Sequence, residues 1–208
     1  GNSGTLGRLI MGLLVHYKDE IKIVGDKSLS TRDFMRIINP LKNFGAKFKS
    51  NNGKLPITIM GTNHAKPIKY HENKGSAQVK SAVMLAALNT NGTTYIKAKK
   101  SRNHSELAFQ HLGLKIKINK KKNYDLIKIK GKRNIKPFNY NIPSDISSSA
   151  FFIVLTALSK NSKLKIKNVN VNPTRIGILK ILKKMGVNIK LQNYKKYKGE
   201  KIADLKIK

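Results

Sequence analysis

The stretch SAQVKSAVMLAALN at residues 76–89 decides the fold, because two other parts of the chain repeat its pattern. GTLGRLIMGLLVHY at 4–17 and ISSSAFFIVLTALS at 146–159 are also apolar on nearly all sides and rich in small residues. An all-round apolar helix predicts burial among neighbouring elements. Polar residues near the starts of the three segments are each 71 positions apart: Thr5, Ser76 and Ser147. A fixed period of about 70 residues predicts a fold made of repeated units.

The same series of elements follows each apolar helix. An alternating strand comes first, then a loop with one arginine, then a second helix that stops at a glycine before another strand. This order predicts an α/β protein in which helices pack on several small sheets. The loop arginines and stop glycines recur 68 to 73 residues apart: Arg32, Arg102 and Arg175, and Gly45, Gly113 and Gly186.

The chain of 208 residues has a formal net charge of +33, which on its own suggests a nucleic-acid partner. Two features favour a solvated basic surface instead. Only six of the 43 basic residues are arginines, and many lysines alternate with isoleucine or leucine as on the outer face of half-buried strands. Such a surface would attract a small polyanionic substrate.

Several function classes lose support from the composition. No apolar run approaches the roughly 20 residues of a membrane span. The absence of cysteine excludes disulfides, thiolate metal sites and cysteine nucleophiles. The five histidines show no metal-ligand spacing and no carboxylate pair is visible, so neither metal nor hydrolytic chemistry is predicted. The opening GNSGT also lacks the Gly-Lys-Ser/Thr ending of a Walker A loop.

Three polar clusters lie at predicted helix starts, at residues 2–8, 76–78 and 101–104. Helix N-termini bind phosphates and carboxylates through unpaired N–H groups. Any one cluster alone is better explained as a helix cap. The three clusters, however, occur at matching positions of a repeat, and each is joined by an arginine whose guanidinium fork suits an anion. Together they predict a shared anion site. The capping candidates are Ser76, Ser147 and the stretch STRD at 30–33.

Two further stretches organise the chain. NIPSDISS at 141–148 interrupts the repeated order of elements with a proline and a cluster of helix-starting residues. This predicts a crossing between domains near residues 141–145. Asp145 is equally well explained as a helix cap and as a site residue. NKKKNYD at 119–125 predicts the tip of a hairpin, because its charges have nothing apolar to bury.

Six stretches together resemble the 5-enolpyruvylshikimate-3-phosphate synthase family, also called the 3-phosphoshikimate 1-carboxyvinyltransferases. Order and spacing agree over the whole chain. Arg-x-His-x-Glu at 102–106, Gly-Asp-Lys-Ser at 25–28, Ser-Ala-Gln-x-Lys at 76–80 and Asn-x-Thr-Arg at 172–175 are similar to its class II subgroup. The six stretches are GNSGT…R at 1–8, GDKSLSTR at 25–32, SAQVKSA at 76–82, SRNHSE at 101–106, SDISSSAFF at 144–152 and NPTRIGIL at 172–179.

The resemblance implies an enolpyruvyl transferase fold, an inside-out α/β barrel of repeated βαβαββ-type units. This chain is expected to be an incomplete piece of it, about half, with two units of one domain at 1–143 and one unit of a second at 144–208. The implied reaction transfers the enolpyruvyl group of phosphoenolpyruvate to the 5-hydroxyl of shikimate 3-phosphate in aromatic amino-acid biosynthesis, releasing phosphate. The resemblance implies no metal or organic cofactor, and a cytoplasmic, monomeric enzyme with no membrane and no specific nucleic-acid partner.

Carried over position by position, the resemblance implies a phosphoenolpyruvate site and a shikimate 3-phosphate site. The phosphoenolpyruvate site comprises Gly4, Arg32 and Gln78. The shikimate 3-phosphate site comprises Ser76, Ala77, Gln78, Ser101 and Arg102. Further candidates near the cleft are Asn2, Thr5, Arg8 and Asp145. The family's proton-handling aspartate is expected beyond Lys208, so no catalytic residue is assigned and the chain alone is expected to be inactive.

Two positions depart from the family pattern. Asp33 replaces the usual proline and puts a carboxylate near the anion site, and Ser144 replaces the usual glycine before Asp145. Glyphosate competes with phosphoenolpyruvate in this family; the class II motifs favour tolerance, whereas Gly4 favours sensitivity. A different function class also stays open, a non-catalytic basic protein on the same fold that binds anions or nucleic acid.

Overall fold

The computed structural model describes residues 1–131 and 135–208, and Arg133 lies outside the described residues. The chain divides into two units, one of Gly1–Ser101 with Gly113–Ile135 and one of Arg102–Leu112 with Lys136–Lys208. Each unit contains short helices and small sheets, as expected for an α/β protein.

The first unit contains two sheets and four helices. One sheet is antiparallel with the strand order β1-β3-β2. The other has the order β4-β5-β7-β6, in which β4 and β5 run parallel and the other pairs run antiparallel. The strands are β1 (Glu20–Ile23), β2 (Lys47–Asn51), β3 (Lys54–Met60), β4 (Lys69–Glu72), β5 (Thr93–Lys99), β6 (Ile116–Lys120) and β7 (Tyr124–Lys130). The helices are α1 (Gly4–Leu14), α2 (Lys27–Ser30), α3 (Met35–Lys42) and α4 (Ala77–Leu88).

The second unit has one antiparallel sheet of the order β8-β10-β9, and its core lies between that sheet and the inner sides of two helices. In this core, Leu205 packs with Ile146 and Ile153 from the helix at Ile146–Leu158. It also packs with Leu179 and Leu182 from the helix at Gly177–Lys184. The elements are α5 (His104–His111), α6 (Ile146–Leu158), β8 (Leu164–Asn170), α7 (Gly177–Lys184), β9 (Ile189–Tyr197) and β10 (Glu200–Ile207).

The predicted repeat is confirmed by the order and pairing of the elements. Each of α1, α4 and α6 is followed by a strand, a helix and two more strands, with the short helix α2 added after β1 in the first repeat, and the last strand of each repeat lies between the other two. The stop glycines after the second helices all have the left-handed backbone that glycine adopts without strain, with φ of +109° at Gly45, +67° at Gly113 and +89° at Gly186. The hairpin predicted at 119–125 is also present, between β6 and β7.

Helix α4 is buried on nearly all sides, as its sequence predicts, and α1 packs along it. Thr5 contacts Gln78, the α-carbon of Gly12 faces the carbonyl of Ala82, and His16 donates from Nε2 to the Ala86 carbonyl at 2.8 Å. Because the contact positions rise together along both helices, α1 and α4 run parallel. Their N-terminal ends therefore lie side by side.

Gly12 allows α1 to approach the backbone of α4 at Ala82. We expect Gly12→Ala to lower the free energy of unfolding by about 3 kcal/mol, because overpacking a fixed backbone forces the helices apart. The added Cβ would lie 2.3 Å from the Ala82 carbonyl oxygen. Urea unfolding followed by circular dichroism measures the change. Gly177→Ala at the start of α7, where a Cβ meets nothing within 4 Å, is the control and should be neutral or slightly stabilising. Equal stability of both variants would contradict the prediction.

Three sequence expectations about helix starts and burial are wrong. The cap of α6 is Asp145, whose side chain accepts a hydrogen bond from the Ser148 N–H, and not Ser147. The STRD stretch forms no capping box, because Ser30 belongs to α2 and the N-cap residue of α3 is Phe34, which makes no side-chain cap. The apolar helices α1 and α6 are not buried all round: Leu6 on α1 is 63% exposed, and Phe151 and Leu158 on α6 are 79% and 81% exposed. Only one side of α6 faces the sheet, and no described element covers the other.

Candidate anion-binding site

Two helix N-termini of the first unit point to the same end of the structure. Ser3 caps α1 by accepting from the Leu6 N–H at 3.2 Å, and Ser76 caps α4 by accepting from the Val79 N–H at 3.3 Å. Each cap satisfies only one of the first-turn N–H groups. Parallel helices also bring the positive ends of their dipoles together, so this end favours bound anions.

Two arginines converge on Gly4, the first residue of α1. A Cβ built on Gly4 would lie 3.1 Å from Nη1 of Arg32 and 3.1 Å from Nη1 of Arg8. The missing side chain at Gly4 thus leaves room for both guanidinium groups beside the start of the helix. Arg32 is exposed, whereas Arg8 is buried with 6% exposure. The pair supplies one fixed and one accessible positive charge.

Arg8 is held by three groups at once. Its Nη1 donates to Gln78 Oε1 at 3.1 Å, its Nη2 donates to the Asp33 carbonyl at 3.3 Å, and its guanidinium lies 4.8 Å from the centre of the Phe34 ring. Burial lowers the pKa of Arg8 from its ordinary value, and the charges of Arg36 and then Arg32 lower it further. Its Nε is buried and has no hydrogen-bond partner among the described residues. An anion at this end would relieve the excess of positive charge.

Gln78 is fixed between the two helices by hydrogen bonds at both ends of its amide. Its Nε2 donates to Thr5 Oγ1 at 2.8 Å, while its Oε1 accepts from Arg8. These bonds assign the amide orientation and link the start of α4 to the first turn of α1. Ala77, the first residue of α4, is half-buried beside Gln78, and Asn2 is exposed in the loop before α1.

The Asp33 carboxylate lies near this site, as expected from its place after Arg32, because its charge raises the pKa of Arg8 against the lowering by burial and by the other arginines. Its Oδ1 accepts from the Met35 N–H at 2.7 Å, so the carboxylate also serves the start of α3. The backbone carbonyl of Asp33 accepts from Arg8. Ser144 is likewise accommodated, in a parallel bridge to Val169, with its Oγ donating to the Lys167 carbonyl at 3.0 Å.

The loops that contain Ser76 and Ser101 meet at one edge of the four-stranded sheet. They follow β4 and β5, and the ends of neighbouring parallel strands lie at the same edge. A Cβ on Gly75 would lie 3.3 Å from the Lys100 carbonyl oxygen, which confirms the contact between the loops. Ser101 Oγ is buried and lacks a hydrogen-bond partner in the described part of the chain. A ligand at this edge could therefore bond to it.

The remaining two predicted site residues belong to the second unit. Asp145 caps α6, and its Oδ1 accepts from Arg175 Nη2 at 3.0 Å. Burial alone would raise the pKa of Asp145, but the hydrogen bonds from Ser148 and the Arg175 charge outweigh it and hold the pKa low. The capping interpretation of Asp145 is thereby confirmed. Arg102 is exposed just before α5.

Two acidic residues that organise the site regions were missed from the sequence. Glu72 is buried and accepts from the Lys74 N–H at 3.1 Å and the Gly75 N–H at 2.8 Å, which fixes the loop before Ser76. In the second unit Glu200 binds His104 Nδ1 at 2.5 Å and accepts from Asn172 Nδ2 at 3.1 Å. A sequence signal for both residues existed. An isolated acidic residue in a chain this rich in lysine indicates a carboxylate that is paired and held in place.

The Glu200 pair gives a stability prediction with a defined pH dependence. Burial would raise the pKa of Glu200, but the His104 bond and charge, followed by Asn172, lower it below its ordinary value. The ionised carboxylate therefore stabilises the fold above the ordinary glutamate pKa, and this contribution is lost as the pH falls through the lower folded-state value. We expect Glu200→Gln to cost about 2 kcal/mol at pH 6 and less at pH 3, because the carboxylate is closer to protonation there.

Denaturant unfolding of both proteins at the two pH values measures the Glu200 effect. Glu20→Gln is the control, because the Glu20–Lys49 pair is largely solvent-exposed, with side-chain exposures of 52% and 79%. Exposed pairs contribute at most about 1 kcal/mol. An undiminished loss for Glu200→Gln at pH 3 would show that packing, and not charge, explains the effect.

Two structural features are absent from the described residues. No group of three or more histidine, cysteine, aspartate or glutamate side chains is arranged to hold a metal ion within residues 1–131 and 135–208. No helix in the same ranges has the length and apolar character needed to cross a membrane.

The fold is that of the enolpyruvyl transferases. The enolpyruvyl transferase NikO from Streptomyces tendae superposes with a TM-score of 0.65 at 14% identity, over 93% of this chain and 45% of that one. EPSP synthase from Acinetobacter baumannii superposes more closely, with a TM-score of 0.83 at 37% identity, over 100% of this chain and 46% of that one.

Sequence comparison identifies the family within this fold class. The sequence profile of EPSP synthase (3-phosphoshikimate 1-carboxyvinyltransferase) matches residues 1–208, so the chain belongs to this family. The 3-phosphoshikimate 1-carboxyvinyltransferase of Ruthia magnifica is 44% identical over 208 residues, which is 100% of this chain and 47% of the relative. The chain thus spans about half the length of the curated relatives it matches.

Proposed function

We propose that this chain is part of an enzyme that transfers the enolpyruvyl group of phosphoenolpyruvate to the 5-hydroxyl of shikimate 3-phosphate. The observation that carries the proposal is the convergence of two parallel helix starts with Arg8 and Arg32 at Gly4. Both substrates are phosphorylated carboxylates, and this arrangement concentrates positive charge and unpaired N–H groups where such anions would bind.

The phosphoenolpyruvate part of the site consists of Gly4, Arg32 and Gln78. Arg32 is exposed and offers a free fork for a carboxylate or phosphate, and the N-terminus of α1 at Gly4 offers backbone N–H groups. Gln78 lies against the same helix start through Thr5. The fixed charge of Arg8 strengthens the attraction without itself being accessible.

The shikimate 3-phosphate part consists of the two loops at the edge of the sheet. Ser76, Ala77 and Gln78 open α4, and Ser101 has a buried hydroxyl with no partner among the residues described. Arg102, exposed and next in the chain, supplies a charge for the phosphate. Asn2, Thr5 and Asp145 are proposed as supporting residues, Thr5 by orienting Gln78 and Asp145 by orienting Arg175.

The proposed reaction is an addition followed by an elimination. The 5-hydroxyl oxygen loses its proton and bonds to the phosphate-bearing enol carbon, while the methylene carbon gains a proton and the enol double bond becomes a single bond. The tetrahedral intermediate then loses phosphate and a proton, which restores the double bond. The described residues supply anion binding and orientation; the proton-transfer group is proposed to belong to another part of the complete protein.

The proposal also covers the organisation and setting of the protein. Residues 1–143 are proposed to belong to one domain and residues 144–208 to a second. We propose a cytoplasmic, monomeric enzyme of aromatic amino-acid biosynthesis that needs no metal or organic cofactor. Glyphosate is proposed to compete with phosphoenolpyruvate at Gly4 and Arg32, with tolerance favoured by the four class II motifs.

The test of the proposed function is a phosphate-release assay on the complete protein. Release should require both phosphoenolpyruvate and shikimate 3-phosphate, and the enolpyruvyl ether should appear in equal amount by mass spectrometry. Shikimate without its phosphate is the control substrate and should react far more slowly. Release from phosphoenolpyruvate alone at the same rate would indicate a phosphatase and overturn the proposal.

A further inference from the structure

The four-stranded sheet of the first unit has an outer face that no described element covers. Its inner face packs against α4, and the residues on that side are buried. The outer residues alternate with the buried ones and stand opposite one another across the strands. We call the following set the outer face: Lys69 and His71 from β4, Tyr95, Lys97 and Lys99 from β5, Lys117 and Asn119 from β6, and Tyr124, Leu126, Lys128 and Lys130 from β7.

The charge of the outer face is entirely positive. Six of its side chains are lysines and none is a carboxylate. The nearest acid on these strands, Asp125, points to the buried side and pairs with Lys100 at 2.5 Å. The positive field of the face is thus not neutralised by side chains within it.

Aromatic and apolar groups stand between the lysines. Tyr95 is 44% exposed near the centre of the face, with Lys128 Nζ 5.5 Å from its ring centre. Tyr124 lies nearer the end of β7, with Lys97 Nζ 4.8 Å from its ring centre. Leu126 is 38% exposed between them. Rows of lysine therefore flank a central strip of rings and apolar surface, which lines a groove of about 830 Å³.

We propose that the outer face binds single-stranded nucleic acid without sequence preference. Lysines 97, 99, 128 and 130 follow two adjacent strands and can contact successive phosphates, and the Tyr95 and Tyr124 rings offer faces on which bases stack. The scarcity of arginine and the alternation of lysine argue against base recognition, and they agree with this mode of binding, because lysine contacts phosphate as a point charge and the tyrosine rings stack on any base. This activity is separate from the proposed enolpyruvyl transfer.

Other polyanions fit the face less well. A duplex hides its base faces, so the tyrosines and Leu126 would gain nothing from it. An anionic membrane favours a helix with a continuous apolar side, whereas this surface is a sheet with isolated apolar groups. An acidic protein strand would be expected to pair with an open sheet edge and not with a face.

Fluorescence anisotropy with a labelled 12-nucleotide oligo-dT probe tests the proposal on the intact protein at several salt concentrations. We expect the double variant Lys97→Gln, Lys128→Gln to bind about tenfold more weakly, with the slope of log affinity against log salt reduced by about 1.4. Tyr95→Ala should also weaken binding about tenfold, and Tyr95→Phe should restore it. Thermal midpoints check that the exposed replacements leave the fold intact.

A matched control separates the outer face from the overall charge. The double variant Lys180→Gln, Lys183→Gln removes two exposed lysines from α7 and should change the affinity less than twofold. Equal losses for the two double variants would overturn the proposal, because net charge alone would then explain binding. Equal or tighter binding of a 12-base-pair duplex, or retention only on vesicles with anionic lipid, would also overturn it.

Discussion

Under the proposed function, Arg32→Ala in the complete protein is expected to raise the KM for phosphoenolpyruvate about 30-fold, with the KM for shikimate 3-phosphate changed less than threefold. Arg32 is exposed and its Nη1 lies beside Gly4, where the first turn of α1 offers its N–H groups. A lost charge-assisted hydrogen bond of this kind costs about 2 kcal/mol, which corresponds to the expected factor. Steady-state kinetics with each substrate varied in turn measures both constants.

Arg36→Ala is the matched control for Arg32. Arg36 is also exposed and also lowers the pKa of Arg8, yet it is not among the groups that a side chain at Gly4 would meet. Its removal should change either KM less than threefold. Equal weakening of both substrates by Arg32→Ala, or equal effects of the two variants, would contradict the assignment of Arg32 to phosphoenolpyruvate.

The architecture could be predicted because the repeat period is visible in the sequence. Three apolar helices at equal spacing, each followed by the same elements, specify how many units there are and in what order. The pairing within each sheet was not predictable in this way. That the last strand of each unit lies in the middle depends on contacts distant in sequence.

Burial of the apolar helices shows where sequence patterns stop being sufficient. The sequences of α4 and α6 are similarly apolar on all sides, yet Met84 on α4 is fully buried and Phe151 on α6 is largely exposed. An all-round apolar helix shows only that burial would be favourable. Which side is covered depends on the elements that surround the helix, and α4 has α1 and α3 against it.

The sequence predicted that polar residues gather at the helix starts, and not how they bond to one another. The polar clusters at helix starts correctly indicated Ser76 as a cap and the gathering of Thr5, Arg8 and Gln78. The burial of Arg8 was not foreseeable, because it depends on side-chain geometry around α3. A short sequence signal existed for Asp33: an aspartate two residues before a helix can accept from its first N–H groups.

Arg8→Lys is expected to lower kcat/KM about 100-fold, although it preserves the charge. The Arg8 fork reaches Gln78 with one nitrogen and the Asp33 carbonyl with the other. A lysine ammonium is a single point charge that cannot reach both acceptors, and it is more strongly hydrated and therefore harder to bury. Gln78 would lose the bond that orients its amide. A factor of 100 corresponds to about 2.7 kcal/mol of transition-state stabilisation.

The Arg8 variant is best compared with Arg36→Lys, which keeps a charge on the exposed side of α3 and should leave kcat/KM within about twofold. Thermal unfolding of both variants separates loss of the site from loss of the fold, because Arg8 also packs on the buried Phe34 ring. Near-normal kcat/KM for Arg8→Lys would mean that the site needs only a positive charge at this position. The hydrogen bonds from Arg8 to Gln78 and to the Asp33 carbonyl would then have a structural role only. Anion binding would depend on Arg32 and the helix starts.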